Sequence, residues 1–269
     1  MISLFFNRKT ILVFVLSFLF LLFQTTAQDK IYLQDSKDKS KKEAIVILPG
    51  FGDSKKGRQA QIDFFKEKGY DIYIPDYLDR KSVNNCIRNF TNFYYEKDLN
   101  NYFKLHFFTY ILGSWVLNDF ILENDSNKIA TIVYDRSPLQ ERAPYVASTK
   151  IPLLTKIFIG KVVRDLSKID YQPIPKGNIK IGLLIESKAT PLIRKFKKTT
   201  LAMGEVYWSP DSLNQAYDDF TYTRLHHNEM YVRFDVVGDQ ILHFIRNGKF
   251  SEAARREMFD WDPFVKFKE

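Results

Sequence analysis

The sequence is poor in the residues that build metal and redox sites. Cys86 is the only cysteine among 269 residues and there are four histidines, so no disulfide can close within the chain. His106 lies in a strand-like run, His243 in a helix-like one, and the adjacent pair His226-His227 aims two rings in different directions. No H-x-x-x-H or paired-cysteine spacing accompanies them, and no metal site is expected. There is no Walker sequence and no G-x-G-x-x-G, and the turn PGFGD (Pro49 to Asp53) is too short to cradle a pyrophosphate. Neither a nucleotide nor any other cofactor is therefore expected. The two basic runs, KDKSKK (Lys37 to Lys42) and RKFKK (Arg194 to Lys198), lack the aromatic interleaving and fold signature of a nucleic-acid module, so no nucleic-acid partner is expected. What the chain does have is apolar mass, 45% hydrophobic and 16% aromatic. That is enough for one large domain with a substantial core.

The first residues follow a different grammar from the rest. Arg8 and Lys9 precede the apolar run Ile11 to Phe23, and the small residues Thr25 and Ala27 follow it. A basic start, a short apolar run and small residues two apart make a secretory signal over residues 1–27, with cleavage after Ala27. The alternative is an uncleaved membrane anchor, although a spanning helix ordinarily needs about 20 apolar residues. Either way the protein is expected to be exported, to a periplasm, a cell surface or the medium. The formal charge of +8 becomes +6 once Arg8 and Lys9 are set aside. Runs such as RKFKK are solvated faces in most proteins, and in some they are peripheral contacts with an anionic membrane.

Residues 28–43 read as a polar linker and residues 44–269 as one domain. Short apolar runs at Ala44 to Leu48, Tyr70 to Tyr77, Lys104 to Tyr110, Lys128 to Tyr134, Ile179 to Ile185 and Phe220 to Leu225 predict strands. Helical spacing predicts helices over Gly57 to Lys68, Val83 to Tyr102, Leu112 to Asn124 and Glu229 to Arg246. Strands alternating with helices predict an α/β fold, a mainly parallel sheet covered on both faces. The rhythm stops at residues 137–178, which read as an inserted helical cap. Leu153, Leu154, Ile157, Phe158, Val162 and Leu166 recur there at helical spacing, with Lys156, Lys161, Arg164 and Lys168 among them. Such a stripe is expected to pack on the body, and the basic residues suit a membrane surface. Ligands of an open α/β sheet sit at the carboxyl ends of its strands.

In this order, LPGFGDS (Leu48 to Ser54), KLHFFTYILGSWVLNDF (Lys104 to Phe120), the insertion and LHHNEMY (Leu225 to Tyr231) resemble the α/β-hydrolase superfamily across nearly the whole region after residue 28. The resemblance implies an α/β-hydrolase-type sheet with a small helical cap over an apolar pocket. It also implies a nucleophile elbow, Gly-x-Ser-x-Gly, whose flanking positions are small so that strand and helix can approach. Aligned by strand length, that pattern falls on Thr109 to Gly113, puts Ile111 at the nucleophile position and keeps only the second small residue, Gly113. A β-branched residue is a poor occupant of the strained elbow geometry, so the turn is expected to be relaxed. Shifting the register by three makes Ser114 the nucleophile but puts Leu112 and Val116 where small residues belong.

For the acid, the family's usual position after the later strand falls near Ala189 and Thr190, with Glu186 at the strand end as a substitute, and the position some members use on the preceding strand falls on Asp135. Each carboxylate also suits a structural ion pair. For the histidine it points to His227, with His226 the runner-up. The backbone N–H groups of Phe51 and Leu112, beside Gly50 in the turn, are the implied oxyanion donors. Two functions follow. One is a non-catalytic member that binds a small hydrophobic or acyl ligand, or a protein partner. The other is an ester or amide hydrolase using Ser114, His227 and Asp135.

Overall fold

The computed structural model describes residues 28–35 and 38–266. The segment 1–27, read above as a signal, lies outside the described residues. In chain order the elements are β1 (Lys30–Tyr32), β2 (Glu43–Leu48), α1 (Lys55–Phe65), β3 (Asp71–Ile74), α2 (Val83–Glu96), β4 (Lys104–Thr109), α3 (Ile111–Glu123), β5 (Ile129–Arg136), α4 (Ala143–Lys150), α5 (Pro152–Phe158), α6 (Val162–Leu166), β6 (Lys180–Glu186), α7 (Pro191–Lys195), α8 (Lys197–Leu201), β7 (Asp219–Thr223), α9 (His227–Met230) and α10 (Phe234–Asn247). Short 3-10 turns lie between several of them. The strands form one sheet in the order β1-β3-β2-β4-β5-β6-β7, parallel throughout except for β1.

The strands are apolar on both faces because both faces are covered. In β2, Ala44, Val46 and Leu48 enter one core cluster and Ile45 and Ile47 the other, as a period of two requires. In β6, Ile181, Leu183 and Ile185 join the first cluster and Leu184 the second. Helices α2 and α3 supply the first cluster with Phe90, Tyr94, Val116 and Phe120. Helices α1 and α10 supply the second with Ile62, Phe65, Phe234 and Ile241. Serines start the first two long helices: Ser54 accepts a hydrogen bond from Gly57 N–H and Ser82 from Asn85 N–H. Gly248, with φ of 67°, ends α10 in the left-handed conformation.

Several boundaries differ from the sequence reading, the helix begun at Val83 ending at Glu96 and the strand begun near Tyr70 ending at Ile74, and three of the differences have a local reason. The stretch 28–43 is more than a linker, because Lys30–Tyr32 pairs antiparallel with β3 and closes that edge of the sheet. Strand β5 runs on to Arg136, since Asp135 and Arg136 pair in register with Leu184 and Ile185 of β6. The helix read from Glu229 to Arg246 is two, α9 and α10, broken at residues 231–233 where Tyr231 lies flat on Tyr110, ring centres 3.9 Å apart and nearly parallel.

The insertion between β5 and β6 forms α4, α5 and α6, and α4 also touches α7 and α8 from the next connection, so the cap layer is larger than residues 137–178 alone. Its apolar stripe is divided. Val162 and Leu166 are buried in the body, but Leu153 and Ile157 are 67% and 52% exposed.

Gly113 is fixed by the approach of α3 to β2. A Cβ there would stand 2.4 Å from the Leu48 carbonyl oxygen and 2.8 Å from the Leu48 Cβ, and the oxygen cannot swing aside. Gly113→Ala is expected to lose about 1–3 kcal/mol of stability in urea unfolding. Gly177→Ala, where a Cβ meets nothing within 4 Å, is expected to change it by less than about 0.5 kcal/mol.

Candidate functional site

The strand order reverses between β2 and β4: the chain leaves β2 for β3 on one side and returns to β4 on the other. The carboxyl ends of β2 and β4 therefore face a crevice, the place where open α/β sheets bind ligands. A cavity of about 150 Å³ opens there, partly open to solvent. Gly50, Phe51 and Gly52 line it from the turn after β2, Ile111 and Leu112 from the start of α3, and His227 and Asn228 from the loop after β7. Ala143 and Ala147 of α4, with Ile159, Val163 and Leu166, form its roof. The lining is mostly apolar, with His227 its one titratable side chain.

Ile111 occupies the first position of α3, directly after Tyr110, whose φ of −79° and ψ of 169° are those of extended chain. Among the described residues only Asp98 and Asn214 are non-glycine residues with positive φ. The turn thus carries no left-handed residue and has the relaxed geometry expected of isoleucine. Ser114 is fully buried one turn into the helix. Its Oγ lies 3.0 Å from Thr109 Oγ1 and donates to the Tyr110 carbonyl at 3.3 Å. It does not line the cavity.

His227 is where the polar chemistry converges. Its Nδ1–H donates to Glu186 Oε1 at 2.7 Å, and Asp135 Oδ2 lies 3.3 Å from the same nitrogen. Both carboxylates come from the ends of adjacent strands, β5 and β6, and both are fully buried. Burial opposes ionisation of each acid, and the neighbouring Asp135 adds to the cost of a charge on Glu186. The Glu186 carboxyl is pushed well above the usual range, and the Asp135 carboxyl is raised too. Burial alone would pull the imidazole down, but the two acids prevail and raise it to about 10. The shifts favour a proton on the imidazole and disfavour two full negative charges beside it. Nδ1 is committed to the acids, so the remaining donor of the ring is Nε2–H.

These three residues are also the one group among the described residues whose His, Asp or Glu donor atoms lie close enough to hold a metal ion, all within 4.8 Å. Two ligands of a zinc-like ion, each about 2.1 Å from it, stand roughly 3.0–3.4 Å apart. The 2.7 Å between Nδ1 and Oε1 is instead the spacing of a shared proton.

Tyrosines brace the floor. The Gly50 N–H donates to Tyr231 Oη at 2.9 Å, so this N–H is already spent inside the protein. A Cβ on Gly52 would stand 2.5 Å from the Tyr231 ring, which is why that turn is glycine. Tyr110 donates to the Met230 carbonyl at 3.1 Å and accepts from Gln61 Nε2 at 2.9 Å. Leu112 lies in the first turn of α3, where an N–H has no intrahelical acceptor. Phe51 sits beside it on the wall.

Of the candidate residues, then, the structure brings Ile111, His227, Gly50, Phe51 and Leu112 to one cavity, sets Asp135 and Glu186 behind the histidine, and leaves Ser114 inside the helix–sheet packing. Of the two acids, Glu186 is nearer to His227 than Asp135. His226 lies outside the cavity lining and caps α9, its backbone N–H donating to Glu229 Oε2 at 2.9 Å. Tyr231 was not singled out in the sequence, although it stands four residues after His227 on the same short motif. Cys86 is buried, its thiol pushed up to about 11 by desolvation, which makes it a poor nucleophile.

No protein-family description matches the sequence, and no curated protein matches it in sequence. Similarity appears at the level of structure. Alpha/beta hydrolase domain-containing protein 10 from mouse superposes with a TM-score of 0.50 at 11% identity, covering 81% of this chain and 92% of that one. Juvenile hormone epoxide hydrolase from the silkworm Bombyx mori superposes with a TM-score of 0.51 at 10% identity, covering 82% of this chain and 73% of that one. Together with the parallel seven-stranded sheet and the crevice between β2 and β4, these likenesses show that the chain has the α/β-hydrolase fold.

Proposed function

We propose that the protein binds a small apolar molecule carrying a carbonyl or carboxylate end, an acyl-type ligand, and does not cleave it. The observation that carries this reading is the pairing of Ile111 with His227 on one cavity wall. A covalent hydrolase needs a nucleophile within hydrogen-bond reach of a neutral base. Here the side chain at the turn is a hydrocarbon, and a histidine raised to about 10 is protonated at neutral pH and cannot take a proton from a hydroxyl. What the imidazolium can do is donate a charge-assisted hydrogen bond through Nε2–H to an oxygen acceptor. Apolar walls from Ile111, Leu112, Ile159, Val163 and Leu166 suit the hydrocarbon part of such a ligand. Export from the cytoplasm, on the strength of the N-terminal segment, belongs to the same proposal.

The competing reading, a serine hydrolase built on Ser114, requires that hydroxyl to reach the cavity, whereas it is hydrogen-bonded to Thr109 and Tyr110.

The purified protein is expected to resist fluorophosphonate labelling and to leave a panel of esters unhydrolysed. Ile111→Ser is expected to gain little, because the turn is relaxed and His227 is charged. Labelling of the parent that vanishes in Ser114→Ala, or brisk turnover by Ile111→Ser, would overturn the proposal. For binding, titration calorimetry with medium-chain fatty acids is expected to show saturable affinity. His227→Gln should lower that affinity about tenfold or more while changing the affinity for the matched alcohols much less. Equal losses for acid and alcohol would mean that the ring does not contact the ligand's anionic end.

A further inference from the structure

The outer surface of the cap combines two properties that seldom coincide by chance. The first is charge. Residues 143–178 carry six Lys/Arg against two Asp/Glu, and residues 188–204 carry five Lys/Arg and no acid. Those two stretches hold +9, although residues 28–269 as a whole hold only +6, so the remainder of that range is at −3. The short helices that bear these charges are gathered in one layer, since α4 touches α5, α6, α7 and α8. The second is exposed hydrocarbon. Leu153 and Ile157 stand one turn apart on α5, 67% and 52% exposed, with exposed Lys150, Lys156 and Lys161 beside them in sequence. Helix α5 exposes its leucine and isoleucine to solvent although neighbouring Val163 and Leu166 of α6 are buried.

We infer that this face of the cap rests on an anionic lipid bilayer, the basic residues at the headgroups and Leu153 and Ile157 inserted among the upper acyl chains. A net positive layer attracts an anionic surface, even with Lys197 paired to Asp262, and each basic group near it strengthens attachment. Apolar side chains flanked by lysines are the arrangement by which amphipathic helices lie in a membrane interface. A folded acidic protein would satisfy the charges but has no reason to favour protruding aliphatic side chains ringed by lysine. Among the described residues no helix is long and apolar enough to cross a membrane, so the attachment is peripheral. The inference extends beyond ligand binding and stands separately from it, because lipid contact uses the outside of the cap and the ligand its inside.

Co-sedimentation with vesicles tests it. Every described element lies between residues 30 and 247, so the chain from residue 28, checked for folding by circular dichroism, is compared with the full chain. This separates the cap from the apolar run at residues 11–23. Binding to vesicles of mixed phosphatidylglycerol and phosphatidylcholine is expected at low ionic strength, with little binding to phosphatidylcholine alone and loss at high salt. Lys156→Ala and Lys161→Ala should each weaken it about fivefold. Leu153→Asp with Ile157→Asp should weaken it about tenfold or more, without changing the thermal midpoint. In the full chain the same variants should reduce the preference for anionic vesicles. His227→Gln should leave vesicle binding as it was, so failure of the ligand proposal and failure of this one are told apart. Equal binding to neutral and anionic vesicles, no binding to either, or unchanged binding by the Leu153/Ile157 variant would overturn the inference. Heparin binding as strong as vesicle binding and equally insensitive to Leu153 and Ile157 would reassign the face to polyanions in general.

Discussion

Two buried carboxyl groups on neighbouring strands set the terms for the rest of this site. Asp135 and Glu186 lie at the ends of β5 and β6, both without solvent contact, and such a pair is stable only if it shares protons or meets a cation. His227 supplies the cation. Its position requires the loop after β7 to fold back over the strand ends, and the loop is held there by Tyr231, which stacks on Tyr110 and accepts the Gly50 N–H. The break between α9 and α10, the glycines of the first turn and the shape of the cavity floor all follow from that placement. Removal of His227 therefore leaves two buried acids without their hydrogen-bonding partner.

The same arrangement separates two features that a working hydrolase combines. Asp135 and Glu186 are fully buried behind His227. Ile111 stands at the strand–helix turn, and Gly113 allows the close approach of α3 to β2. A histidine held between two acids on the wall of an apolar cavity is the feature on which the proposal of binding without cleavage rests. The cap has two faces: Val163 and Leu166 line the cavity, whereas Leu153 and Ile157 are exposed.

Much of the fold was legible because strand burial leaves a strong trace. Continuous apolar runs such as AIVIL and IKIGLLI mark strands covered on both faces, and counting from β4 to Gly113 is enough to place Ile111 at the turn. Partnerships made across long sequence separations left less trace. Nothing local to Glu186 distinguishes a buried partner of His227, 41 residues away, from an exposed carboxylate at a strand end, and Asp135 seemed the better candidate for the same reason. Tyr231 pairing with Tyr110, and Lys30–Tyr32 pairing with β3, are likewise tertiary choices that periodicity cannot reveal. The cap stripe was misleading in part because helical spacing shows which residues share a face but not which way that face points. Leu153 and Ile157 share theirs with solvent.

The account turns on the charge of one ring, and nitrogen NMR of the histidines reads it directly. With His227 assigned by loss of its signal in His227→Gln, both ring nitrogens are expected to carry protons from pH 6 through pH 9, consistent with a value raised to about 10. A His227 that titrates near the ordinary value of about 6.5 and is neutral at pH 8 would be a competent base, and would contradict the reading of this site as a fixed donor.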